Sequence, residues 1–209
     1  MNPSQIYDVL HRYVECRGAF ICDLHSACSP EKGKKYRCLL PNSKVEVVDF
    51  DQVKIKADVE KSLESRKSVD AAVGSPSDTY FCFIELKSWG LLLAHKGTEK
   101  KIRKQAKKYS SDLPEKLLDS IKICKEVTNN DFIFDDCRII YILLTDIPVR
   151  LKADKALYSI DSDLTALAGS SSNLNMLCNQ LSQNIMDNIP RVETRYWECS
   201  EFDKEFSCL

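Results

Sequence analysis

No stretch of the 209-residue sequence approaches the run of roughly 18 apolar residues that crosses a bilayer, so no membrane span is expected. The N-terminal MNPSQIYDVLHRYVECRG is mixed in character and lacks the apolar segment of a secretory signal, which points to a cytoplasmic protein. The formal net charge is only −1, which excludes a strongly polybasic chain but leaves room for a local basic surface. GxxxxGK[ST], GxSxG and HExxH are all missing, so P-loop nucleotide hydrolysis, serine-hydrolase chemistry and zincin chemistry have no footing. There is no internal repeat and no long low-complexity tract. What remains is a length suited to one sizeable domain, with apolar and charged contents of 44% and 29% that permit an ordinary core.

Cysteine is plentiful: ten residues, scattered rather than paired, with no CxxC among them. In a cytosolic chain the simplest reading is reduced thiols, and Cys82, Cys124, Cys137 and Cys178 lie in apolar stretches that suit core positions. One cluster carries an alternative. Cys22, His25, Cys28 and Cys38 supply four possible zinc ligands within 17 residues, although their spacing matches no common finger.

The chain opens with strong helix signals. Asn2 is placed to cap, Pro3 takes the first helical position, and Gln5 completes a capping-box-like arrangement. Ile6, Val9, Leu10, Tyr13 and Val14 recur at helical spacing up to Gly18. Residues 44–56 read as one or two strands, 57–66 as a short polar helix or connection, and 67–73 as a short strand before a GSPSD turn. YFCFIELK, residues 80–87, is the strongest strand, with Phe81, Phe83, Glu85 and Lys87 on one face and Tyr80, Cys82, Ile84 and Leu86 on the other. A basic helix over 97–109, with Thr98 as cap, is followed after Pro114 by a second helix striped with Leu117, Leu118, Ile121 and Cys124. After a turn at 129–131, residues 137–145 form a nearly all-apolar strand typical of a sheet centre. Residues 171–190 form a further helix, striped with Leu174, Leu177, Leu181 and Ile185, and 191–202 a terminal strand that includes Tyr196 and Trp197. This order implies a layered α/β domain.

Charges at the end of an apolar strand require an account. Asp70 interrupts the small-residue strand SVDAAV, and Glu85 and Lys87 end the next. If the two strands form a hairpin, both carboxylates lie at one edge, where they repel, and a divalent cation is the usual relief. Carboxylate oxygens suit Mg2+ or Mn2+, and a lysine beside such a site can orient water or stabilise developing negative charge.

Asp70, fourteen intervening residues and then Glu85-Leu86-Lys87 resemble the motif of the PD-(D/E)XK nuclease superfamily, with Val69 where the motif has proline. Gln105 and Tyr109, one helical turn apart, match the QxxxY element of its RecB-like members. The resemblance spans about residues 65–145 and does not reach the C-terminal extension, 150–209, or the N-terminal helix and Cys-rich segment, 1–43. It implies one nuclease domain over 1–209 with a restriction-endonuclease-like core, a central mixed sheet flanked by helices, and an added C-terminal helix and strand. It also implies that the Asp closes one strand and the ExK triplet the next. Asp70, Glu85 and the Leu86 carbonyl would then hold the metal, with Lys87, Gln105 and Tyr109 completing the catalytic set. A further acidic ligand would come from Glu64, Glu60 or Glu15.

The basic helix bears Lys100, Lys101, Arg103, Lys104, Lys107 and Lys108, preceded by Lys96, and such a run directly after the site suits phosphate contacts along nucleic acid, DNA favoured. A solvated helix face is the plainer reading of the same charges. His11 and His95 read as surface or structural residues, and Trp89 as a packing residue beside the strand end. A small domain of this class is expected to act as a homo-oligomer or as the nuclease subunit of a larger complex, as in the defence systems it resembles. The alternative is a catalytically inactive scaffold with the same fold, docking on a partner through the tail WECSEFDKEFSCL.

Overall fold

The computed structural model describes residues 1–15, 22–23, 43, 45–61, 66–87, 99–145, 171–189 and 191–209. Helix α1 (Pro3–Glu15) starts as its capping signals require: the Asn2 side chain accepts from the Gln5 N–H at 3.0 Å, and the Gln5 side chain accepts from the Asn2 N–H at 3.1 Å. A further cap comes from a distance, because Asp78 in the hairpin turn accepts from the Ser4 N–H at 2.7 Å. Strand β1 (Cys22–Asp23) and strand β2 (Glu46–Asp49) pair antiparallel.

The strand expected over 44–56 ends at Asp49, and helix α2 (Phe50–Lys61) takes up residues 50–56 before running into the stretch from 57 expected as a short helix or connection. Its buried residues Phe50, Val53, Ala57 and Asp58 have a helical rather than an alternating period, and the Asp49 carboxylate accepts from the Gln52 N–H at 3.3 Å as a cap. The Val53–Ile55 alternation that suggested a strand misled because Ile55 is exposed.

Strand β3 (Ala71–Gly74) and strand β4 (Tyr80–Lys87) form the expected hairpin. Ser75 organises the turn, its hydroxyl accepting from the Thr79 and Tyr80 N–H groups, while Asp78 adopts a left-handed φ of 55°. Gly74 permits a close approach: a Cβ there would stand 3.3 Å from the backbone of Pro3, where α1 crosses the sheet.

Helix α3 (Glu99–Thr128) is one continuous helix of 30 residues, not two. Pro114 lies inside it, lacking the N–H that would bond the preceding turn. Leu113, Leu117, Ile123 and Cys124 bury its sheet-facing stripe and compensate for that lost bond. Strand β5 (Arg138–Thr145), helix α4 (Ser171–Asn188) and strand β6 (Val192–Glu198) follow, and the chain ends in a 3-10 turn (Cys199–Glu201) and a short helix α5 (Phe202–Ser207).

The strands form a mixed sheet in sequence order. Pairing is antiparallel from β2 to β4 and parallel from β4 through β5 to β6, with β1 a two-residue extension on the outer edge of β2. The parallel crossovers pass through α3 and α4, so the α/β architecture is as expected. One face carries Phe81, Phe83, Tyr141 and Leu143, which pack against α1, α2, α3 and α4. The other carries Cys82, Ile84, Ile140 and Ile142, which pack against Phe202 and Phe206 of α5. The end of the chain is therefore a lid on the second face: Phe202 is fully buried and unable to serve as a free docking segment. No helix among the described residues is long and apolar enough to cross a membrane.

Candidate functional site

The site forms where the β3–β4 ladder runs out. Ala71 pairs with Ile84, so one step outward Asp70 stands across from Glu85. The Asp70 N–H still donates to the Ile84 carbonyl at 3.1 Å, but the Leu86 N–H is taken by the Asp70 carboxylate at 2.6 Å. Asp70 therefore opens its strand instead of closing it. In an antiparallel hairpin the end of one strand meets the start of the other, and only that arrangement brings Asp70 beside Glu85.

Side-chain alternation puts Glu85 on the face of Phe81 and Phe83, beneath α3. It is not at an open edge, as the position of the charges suggested: Glu85 is 0% exposed. A buried carboxylate needs compensating charge, and two lysines provide it. Lys87 forms an ion pair with Glu85 Oε1, and Lys116 reaches the same oxygen at 2.7 Å. Lys116 Nζ also lies 3.8 Å from Asp70 Oδ1, so one ammonium spans both carboxylates. Among the described residues Glu85 Oε2 is buried with no hydrogen-bond partner, and so is the Tyr141 hydroxyl on the adjacent strand β5. The Lys87 ammonium lies 5.8 Å from the centre of the Tyr109 ring, within cation–π range.

The electrostatics follow from this crowding. Asp70 is 24% exposed by area, yet enough protein surrounds its carboxyl that desolvation, followed by repulsion from Glu85, pushes its pKa up to about 7. Lys87, Lys116 and the Leu86 N–H oppose that rise without cancelling it. For Lys87, burial pulls the pKa down, but attraction to Glu85 and Asp70 outweighs it and the ammonium is held above its usual range. Burial, then the negative field of Glu85 and Asp70, also raises the Tyr141 phenol well above its ordinary value.

Behind the site, Ser120 of α3 is fully buried. Its hydroxyl accepts from the Val69 N–H at 3.0 Å and donates to the Lys116 carbonyl at 2.8 Å. One side chain thus ties the residue before Asp70 to the helix turn that carries Lys116.

The structure thus gathers Asp70, Glu85, Leu86, Lys87 and Tyr109 in one place. Gln105 and residues 100, 101, 103, 104 and 107 belong to α3, but their side chains lie outside the described residues. Lys108 is exposed on that helix. Glu64, His25, Cys28, Cys38, Trp89, His95 and Lys96 lie outside the described residues, and Cys22 is described only as a paired position of β1. Glu15 is exposed and faces His11 at 3.2 Å, while Glu60 accepts from the Tyr13 hydroxyl at 2.6 Å, so neither contact leads to Asp70.

Lys116 was missed. Its signal was present, because it stands seven residues after Tyr109 and two helical turns keep it on the same side of α3. The expected helix break at Pro114 separated the two.

Among the described residues no group of three or more His, Cys, Asp or Glu is arranged to hold a metal. The site offers two carboxylates and one unpartnered, buried oxygen, a hard-oxygen donor set that fits Mg2+ or Mn2+ and not zinc. Comparison with models of protein families, with curated proteins and with solved structures finds no match.

Proposed function

We propose that the chain is a metal-dependent nuclease of the PD-(D/E)XK type, hydrolysing phosphodiester bonds in nucleic acid, DNA favoured, as a subunit of a larger assembly. The observation that carries the reading is the convergence of Asp70, Glu85, Lys87 and Lys116 at one strand end, with a buried Glu85 oxygen left without a partner. Two carboxylates side by side in a desolvated position serve no purpose in a core, and the Glu85 charge raises the proton affinity of Asp70 at a cost to stability.

In this reading Asp70 and Glu85, with the Leu86 carbonyl, would hold Mg2+ or Mn2+. Such a cation supplies acidification of water and neutralisation of phosphate charge. Lys87 stays protonated, because its pKa is raised, so it acts as a hydrogen-bond donor and point charge and not as a base. It orients the attacking water and balances the charge that builds on the phosphate oxygens as one P–O ester bond breaks and another P–O bond forms. Tyr109 holds the Lys87 ammonium from the helix side. The basic N-terminal part of α3 tracks the phosphate backbone.

The test is cleavage of plasmid, single-stranded DNA and RNA by the purified protein, with its natural partners, in Mg2+ or Mn2+. Lys87→Ala and Asp70→Asn are each expected to lower the rate at least a hundredfold while leaving the fold intact by circular dichroism. Full activity in Lys87→Ala would sink the proposal. A second reading, a non-cleaving scaffold of the same fold, is favoured by one fact: both lysines already occupy Glu85 Oε1. Nucleic-acid binding without cleavage, and without Mn2+ binding that depends on Asp70 and Glu85, would select it.

A further inference from the structure

Lys116 occupies the position that a cation shared by the two carboxylates would take. Its Nζ is 2.7 Å from Glu85 Oε1 and 3.8 Å from Asp70 Oδ1, and among the described residues it is the one ammonium in ion-pair range of both. Lys87 differs: among the described residues its ion pair is with Glu85, and the Tyr109 ring lies 5.8 Å from its ammonium. We propose that Lys116 is a built-in counter-ion that holds the Asp70–Glu85 pair together in the metal-free protein and is displaced when a divalent cation enters. The proposal rests on the metal-binding reading above and adds to it a residue that competes for the site.

The argument is one of charge and space. With Asp70 ionised, two carboxylates and two ammoniums leave the metal-free site neutral. A divalent ion added with both lysines in place would leave two excess positive charges in a desolvated pocket, which the low local dielectric penalises heavily. One lysine must withdraw. Lys87 extends from the strand that carries Glu85 and is 17% exposed, whereas Lys116 reaches in from α3 and is 24% exposed, so Lys116 is the one placed to withdraw toward solvent. Withdrawal of Lys116 leaves Glu85 Oε1 to Lys87, and the unpartnered Oε2 is the oxygen open to the metal. The released ammonium remains at the mouth of the site, where a phosphate of the substrate is its natural partner.

The experiment is Mn2+ titration by calorimetry of the full chain, with thermal melts in chelator and in saturating Mn2+. Three variants are compared with the wild type. Lys116→Met keeps the aliphatic stem and removes the charge, Lys116→Arg keeps the charge, and Asp70→Asn removes a ligand. The Kd for Mn2+ is expected to fall at least tenfold in Lys116→Met and to stay near the wild-type value in Lys116→Arg. In chelator Lys116→Met melts below the wild type, and saturating Mn2+ closes that gap, which separates a displaced counter-ion from simple misfolding. Mn2+ binding that appears only in Lys116→Met also supports the proposal. An unchanged or weaker Mn2+ affinity in Lys116→Met, with wild-type binding still lost in Asp70→Asn, overturns the displacement and leaves the metal site standing. Absence of Mn2+ binding in both the wild type and Lys116→Met overturns the displacement and the metal site together.

Discussion

At the scale of single residues, the site stores electrostatic tension that metal binding would release. Folded, Asp70 keeps its proton up to about pH 7, whereas an ordinary aspartate releases it near 3.8. A carboxyl with a raised folded pKa favours the folded state below that pKa, and this contribution is lost as pH rises. Between about pH 4 and pH 7 the metal-free protein should therefore lose stability, by up to about 1.4 kcal/mol per pH unit from this group. Chemical denaturation across that range checks the sign, and Asp70→Asn should flatten the slope. A flat wild-type profile in chelator would show that Asp70 is not in this environment. Ser120 is the second residue-scale case. Removing its hydroxyl leaves the Val69 N–H unsatisfied in a buried position, so Ser120→Ala should cost about 1–3 kcal/mol. Loss of Mn2+ affinity in the same variant would mark Ser120 as a positioning residue for Asp70.

At the scale of elements, α3 is the least expected and the most consequential. A helix interior is penalised by about 3 kcal/mol for proline, and Pro114 sits there, sixteen positions into a 30-residue helix. Packing of Leu113, Leu117 and Cys124 against the sheet overrides that local preference. Pro114→Ala should raise stability, by no more than about 3 kcal/mol, read as a shift in the denaturation midpoint at constant m-value. A loss of stability would show instead that the proline ring is needed where it packs. The β3–β4 hairpin was readable in the sequence, since alternation, small residues and turn chemistry agree on it. Helix α2 was not, because Val53 and Ile55 satisfy a strand period by chance and the helix period emerges only when Phe50 and Ala57 are known to be buried.

At the scale of the whole molecule, the sheet has two cores, which the described residues cover unequally. Four helices cover the face that holds the site, while α5 is the described helix on the other. Phe202 stacks on Phe206, with ring centres 5.4 Å apart, over Ile84, Ile140 and Cys82. Phe202→Ala should cost about 3–5 kcal/mol, as expected for a large buried aromatic, and should lower the melting temperature without changing Mn2+ affinity. A surface-like cost below about 0.5 kcal/mol would mean that the chain end is not seated there.

The sequence by itself determined what neighbours along the chain can decide: the capped first helix, the β3–β4 hairpin, the apolar strand β5, and the placing of Glu85 and Lys87 on one side of β4. These depend on periodicity and on hydrogen bonds a few residues apart. Only the tertiary structure decided the rest. It buried Glu85 beneath α3, set Asp70 at the start of its strand, and folded the chain end over the second face as a cover. It also brought Lys116 to an oxygen 31 positions away in the chain. Helical spacing could put Lys116 on the same side of α3 as Tyr109, but the contact itself exists only when that helix crosses over the sheet. The demand behind it is general: a carboxylate withdrawn from water must find a positive charge wherever in the chain one can reach it.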